Sequence, residues 1–137
     1  MNPEQIKLVQ TSFEKIAPDA EKLVDDFYGR LFEIAPEVRP MFKTDMTSQR
    51  KKLLDSLALV VISLHNLGPI IPKIKDLGVK HIEYGVKDEH YDLVGDALIY
   101  SLDKNLGNDF TPELKEAWAE AYGILADTMK NAAAASV

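Results

Sequence analysis

Leu77-Gly-Val-Lys-His-Ile-Glu-Tyr-Gly-Val86 is a short polar patch between two strongly apolar segments, with His81 at its centre. Ahead of it, Ile70, Ile71, Ile74 and Leu77 recur at helical spacing and put His81 at or just past the last turn of a helix. Two readings of this histidine stand side by side. A histidine at a helix C-terminus interacts well with the last carbonyls, and on spacing alone that capping role is the more frequent one. An imidazole is also the commonest metal ligand among side chains. The choice depends on what else in the chain converges on it.

Outward from this patch the chain reads as helices. Asn2-Pro3 is a helix start, a cap followed by proline in the first turn, and Ile6, Val9, Phe13 and Ile16 continue it. Pro18-Asp19 opens a second helix with a broad apolar stripe of Leu23, Val24, Phe27, Tyr28, Leu31 and Phe32. Pro36 ends it, and Glu37 to Met41 leave room for one short turn before Phe42. Thr47 or Ser48 is a candidate cap for a helix carrying Leu53, Leu54, Leu57, Val60, Val61 and Leu64, a stripe wide enough to predict that it is largely buried. Asn66-Leu-Gly-Pro69 stops that helix, and the His81 helix follows.

Beyond His81, Asp88 is the expected cap of a long helix turning Tyr91, Val94, Ala97, Leu98, Ser101 and Leu102 inward, with Gly107 as its terminator. Thr111-Pro112 opens the last helix, with Leu114, Ala117, Trp118, Ala121, Tyr122, Leu125 and Met129 on its apolar face. The alanine-rich tail 131–137 is expected to fray. No segment alternates with period two, so the expectation is an all-α fold of about seven to eight helices of unequal length, one domain over 1–137, wrapped around a pocket.

Composition narrows the function. The chain has 137 residues, 46 % of them hydrophobic, enough to bury a sizeable core. Its net charge of −6 disfavours nucleic acid as a partner. The absence of cysteine removes disulfides, thiolate nucleophiles and cysteine-bound metal. Leu57-Ala-Leu-Val-Val-Ile62 is the most apolar run and far too short for a membrane span, so no membrane association and a cytoplasmic location are expected. There is no phosphate loop, nucleophile elbow, His-Glu-x-x-His motif or Glu-x-x-His pair. The neighbouring carboxylates Asp25-Asp26 read as a solvated helix face, and the basic run Arg50-Lys-Lys52 reads first as one, with binding of an anionic group second.

What remains is centred on His81. Gln49, Leu53 and Leu57, spaced by four, share one helix face. Gln49 by itself is as well explained as a plain N-terminal helix residue. Tyr28 lies on an inward stripe, where its phenol needs a partner, and a backbone carbonyl would serve. Phe42 alone could be ordinary core.

In combination, these pieces resemble a bacterial single-domain globin related to the haem domain of flavohaemoglobins, over about Glu4 to Met129. Pro36 followed by Phe42, the segment Lys80 to Val86, His90-Tyr-Asp-Leu-Val-Gly95, and Trp118-Ala-Glu-Ala-Tyr-Gly-Ile-Leu-Ala126 carry the likeness in this order and at these separations. The resemblance implies a globin fold around haem b (iron protoporphyrin IX). It implies His81 as axial ligand of the iron, with Phe42, Leu53, Leu57, Lys80, Val86, Tyr91 and Val94 around the porphyrin and Lys80 toward a propionate. Tyr28 and Gln49 would face a bound gas on the other side.

The implied function is tight, reversible binding of O2, with NO and CO as further ligands. NO dioxygenation would need a separate reductase, since no flavin or nicotinamide domain is present. A gas sensor acting through a partner and a haem-free interaction module are the alternatives, and the expected oligomeric state is a monomer or a weak homodimer. There is one departure. The family's haem domains place a glutamate in the last helix against the axial histidine, and the corresponding position, eleven past Tyr122, is Ala133. A strong electron push onto iron is therefore not expected.

Overall fold

Hydrogen-bonded turns begin at Asn2, whose side chain accepts from the Gln5 N–H at 2.8 Å while Gln5 Oε1 accepts from the Asn2 N–H at 3.1 Å. This reciprocal cap satisfies two donors that a helix start leaves open. The structure, a computed structural model, describes residues 1–41, 46–83 and 86–135. They form six α-helices: α1 Pro3–Ile16, α2 Ala20–Ile34, α3 Met46–Ile62, α4 Ile71–Glu83, α5 Asp88–Leu106 and α6 Pro112–Ala135. Four 3-10 helices lie between them, at Ala17–Asp19, Pro36–Met41, Gly68–Ile70 and Gly107–Asp109. Among the described residues there is no strand, and no helix is long and apolar enough to cross a membrane.

The α-helix count is six among the described residues, not seven to eight. The shortfall comes from the segments bounded by proline. Pro36 and Pro40 cannot donate to a preceding carbonyl, so Pro36–Met41 winds as 3-10, with Val38 N–H donating back three residues to Ala35 at 3.1 Å. Gly68–Ile70 does the same, with Ile70 N–H on the Leu67 carbonyl at 3.0 Å.

Other expectations shift in detail. The residue capping α5 is Lys87, and Asp88 is its first helical residue, where its charge complements the helix dipole. Gly107 does end α5, at φ 56°, a backbone angle that suits glycine. Thr111 caps α6, its Oγ1 accepting from Leu114 N–H at 3.2 Å. That helix runs on to Ala135, well into the tail expected to fray, as alanine's high helix propensity allows. Burial of α3 is confined to its end. Val60 and Val61 are buried, whereas Leu53, Leu54 and Leu57 are partly buried and pack against the core's edge.

Two extensive pairings organise the core: α4 lies on α6, and α2 on α5. The first is a close approach. A Cβ at Gly78 would land on the backbone of Met129, so only glycine lets α4 come this near. At Gly95 a Cβ would stand 2.8 Å from the Tyr122 ring, so α5 also packs closely on α6, here against a side chain. Trp118 fills the centre, fully buried, with its indole N–H donating to Ser12 Oγ at 2.9 Å.

Candidate functional site

His81 sits in the last turn of α4, partly buried. Its Nδ1 lies 2.5 Å from the Leu77 carbonyl oxygen, one turn back. A carbonyl only accepts, so Nδ1 carries the proton and the neutral ring has its lone pair on Nε2. Burial lowers the pKa of His81 below its ordinary value, and the bond to Leu77 opposes that only in part. The ring is therefore neutral at neutral pH, with one fixed tautomer. This is the donor chemistry of a metal-binding imidazole, and it arises because the side chain reaches back one turn along α4 to the Leu77 carbonyl.

The neighbours of His81 come from the segment ahead of α5 and from the next two helices. Val86 N–H donates to the His81 carbonyl at 3.0 Å. The ring of Tyr91, buried in the first turns of α5, stacks on the imidazole with centroids 6.2 Å apart and planes 29° from parallel. Tyr122 of α6 donates its hydroxyl to the Tyr91 carbonyl at 2.6 Å, fixing the backbone beneath that ring. Burial raises the pKa of both phenols, with Asp88 adding to the effect at Tyr91. Lys130, also on α6, holds its Nζ 5.6 Å from the centre of the Tyr91 ring. His90, next to Tyr91, is buried with Nδ1 accepting from Lys87 N–H at 2.9 Å; this histidine caps a helix.

A second group forms on α2 and α3. Tyr28 is buried, edge-on to Phe27 at 5.0 Å and stacked on Phe32 at 5.8 Å. Burial pushes its pKa up to about 12, with the Arg50 cation working in the other direction. Arg50 forms an ion pair with Asp25, one turn before Tyr28. That pair brings the Gln49–Arg50 turn of α3 against the Tyr28 turn of α2. Asp25 and Arg50 lie on solvated faces, as expected, and are also partners across two helices, with Arg50 engaging an anionic group. Asp26 likewise accepts from Asn105 Nδ2 at 2.9 Å and lies 3.5 Å from Lys104 Nζ.

His81, Val86 and Tyr91 therefore form one group, with Val94 one turn further along α5, partly buried against the core. Tyr28 and the Gln49 turn form a second. Leu53 is partly buried, and Leu57 lines a small apolar cavity with Val61, Leu98, Trp118, Tyr122 and Leu125. Lys80 is exposed. Phe42 lies outside the described residues. Sequence reasoning missed Arg50, Lys130 and the hydroxyl of Tyr122. No local pattern marks them, because each acts on a residue of another helix.

Comparison with known proteins identifies the family. The family model for globins matches residues 25–129. The flavohemoprotein of Bacillus subtilis is 33% identical over 127 residues, covering 89% of this chain and 31% of the relative. That of Rhodopirellula baltica is 32% identical over 130 residues, covering 93% of this chain and 32% of the relative. The chain thus spans about a third of the length of these relatives. Among solved structures, a bacterial globin from Campylobacter jejuni superimposes with a TM-score of 0.85 at 26% identity, covering 98% of each chain. An engineered carbene transferase, made from a candidate nitric oxide dioxygenase of Rhodothermus marinus, gives 0.90 at 28% identity over 99% of this chain and 95% of its own.

Proposed function

Because this chain belongs to the globin family, we propose that it binds haem b through His81 and reversibly binds O2 on the opposite face. The observation that carries this reading is the state of His81: neutral, tautomer set by Leu77, and stacked on Tyr91 at the end of α4. Leu53, Leu57, Val86 and Val94 are partly buried apolar residues suited to porphyrin contact. Among the described residues no cluster of three His, Asp or Glu side chains could hold a metal ion. A site with one imidazole from the chain suits a metal whose remaining ligands come from a macrocycle.

Haem iron, when bound, supplies the electron density that makes a diatomic ligand partly negative. The chain's part is to meet that charge. Tyr28 keeps its proton across the physiological range and donates from a buried position, where a hydrogen bond counts for more than in water. Gln49, in the turn held against Tyr28 by the Arg50–Asp25 pair, is the second donor. Two donors favour O2 over CO, because bound CO carries less charge.

A tightly held O2 suits turnover with NO better than delivery. NO, O2 and one electron give nitrate, and the electron would come from a separate reductase. The Rhodothermus marinus structure, made from a candidate nitric oxide dioxygenase, supports this reading. Nitrate formation with an added reductase separates turnover from storage.

The test is the visible spectrum of the protein and of His81→Ala after adding haem. A Soret band that His81→Ala loses or strongly alters is expected, with a stable oxy spectrum after reduction in air. No Soret band in the parent protein overturns the proposal and leaves a haem-free interaction module.

A further inference from the structure

The side of the site carrying His81 includes a cation from a third helix. Lys130 is partly buried, and its Nζ stands 5.6 Å from the centre of the Tyr91 ring, whose centre lies 6.2 Å from that of His81. The charge is therefore within about 12 Å of the His81 ring. Its position is set by packing. Lys130 follows Met129, the residue whose backbone touches Gly78 of α4, one turn before His81. The hydroxyl of Tyr122 holds the Tyr91 backbone from the same helix. Three helices thus fix imidazole, phenol ring and ammonium in one stack.

We infer that Lys130 tunes the reduction potential at His81: its ammonium, held on the Tyr91 ring, favours the reduced state of the group His81 binds. This rests on the proposed haem binding. It acts through the stack and is not a ligand. Reduction adds one negative charge at the metal, and a fixed positive charge nearby stabilises the product. A unit charge about 12 Å from the His81 ring, at an effective dielectric near 20, sets the scale of that change at up to about tenfold. Screening of a partly exposed lysine brings the expected change to about threefold to tenfold. Asp88 is an anion acting on Tyr91 from the α5 side, a charge whose effect on reduction is opposite to that of Lys130.

The experiment is spectroelectrochemical titration of the full chain reconstituted with haem, as parent, Lys130→Arg, Lys130→Gln and Lys130→Glu, at low and high salt. Lys130→Arg should keep the parent midpoint. Lys130→Gln should shift the ferric–ferrous balance toward ferric by about threefold to tenfold, where tenfold corresponds to about 59 mV for one electron. Lys130→Glu should shift it further in the same direction, and the differences should shrink in high salt. Midpoints that do not follow charge, with the Soret band intact, overturn the inference and leave Lys130 a packing residue. Should Lys130→Glu fail to fold, the Arg and Gln variants still decide between charge and packing. A parent chain without a Soret band overturns this inference together with haem binding itself, so the two failures are distinguishable.

Discussion

Tyr28 shows what one buried side chain can contribute. Its folded pKa of about 12 lies above the ordinary 10.0, so the phenol remains a donor well into alkaline conditions. The O2 dissociation rate should be flat from pH 7 to 10, and in Tyr28→Phe it should rise tenfold or more if that bond contributes the ~1.4 kcal/mol a tenfold change requires. Stopped-flow displacement of O2 measures both; an unchanged rate in Tyr28→Phe would remove it from the gas site. A raised pKa also means stability that is fully present below pH 10 and lost as pH rises toward 12. Ser12 acts at the same scale. It accepts from Trp118 and donates to the Val9 carbonyl at 2.9 Å, and all of it is buried. Ser12→Ala leaves the indole N–H without its partner and should cost about 1–3 kcal/mol in urea unfolding, with the m-value unchanged.

Among the elements, α4 governs the site because it carries His81 and rests on α6 through a residue with no side chain. Gly78→Ala puts a methyl group on the Met129 backbone, which cannot rotate aside. The helices must separate, at a cost of about 1–3 kcal/mol. The expected outcome is a lower melting temperature with helix content retained, and weaker haem retention, since the turn carrying His81 moves with α4. Haem transfer to an acceptor protein measures the second effect, and unchanged retention would show that α4 adjusts as a rigid unit. The Arg50–Asp25 pair marks where α2 and α3 approach, joining two turns that sequence leaves far apart, though an exposed pair contributes little stability by itself.

For the whole molecule, the proposed site would tie the helices together. In that proposal residues of α2 and α3 would face one side of the haem and residues of α4 and α5 the other, with α6 behind Tyr91. A ligand spanning them should stabilise all of them at once by mass action. Haem at a hundredfold excess over its Kd adds about 2.7 kcal/mol, so removing it should lower the melting temperature by several degrees. Calorimetry of the haem-free and reconstituted protein checks this. In His81→Ala the two melting curves should approach each other, because the added stability depends on that bond.

What the sequence determined by itself was local. Helical spacing identified the all-α class, and Asn2, Thr111 and Gly107 marked ends that the structure uses, because caps and periodicity depend on residues three or four apart. The place of His81 at the end of its helix followed from the same short-range rule. Tertiary structure decided the rest. It alone set His81 against Tyr91, Lys130 over that ring, Arg50 against Asp25, and the Trp118 indole on a serine 106 residues away. It also turned proline-bounded segments into 3-10 turns and carried α6 through the alanine tail. These outcomes depend on how near one helix can approach another, which is a property of packed surfaces and the glycines between them, and which helical periodicity does not encode.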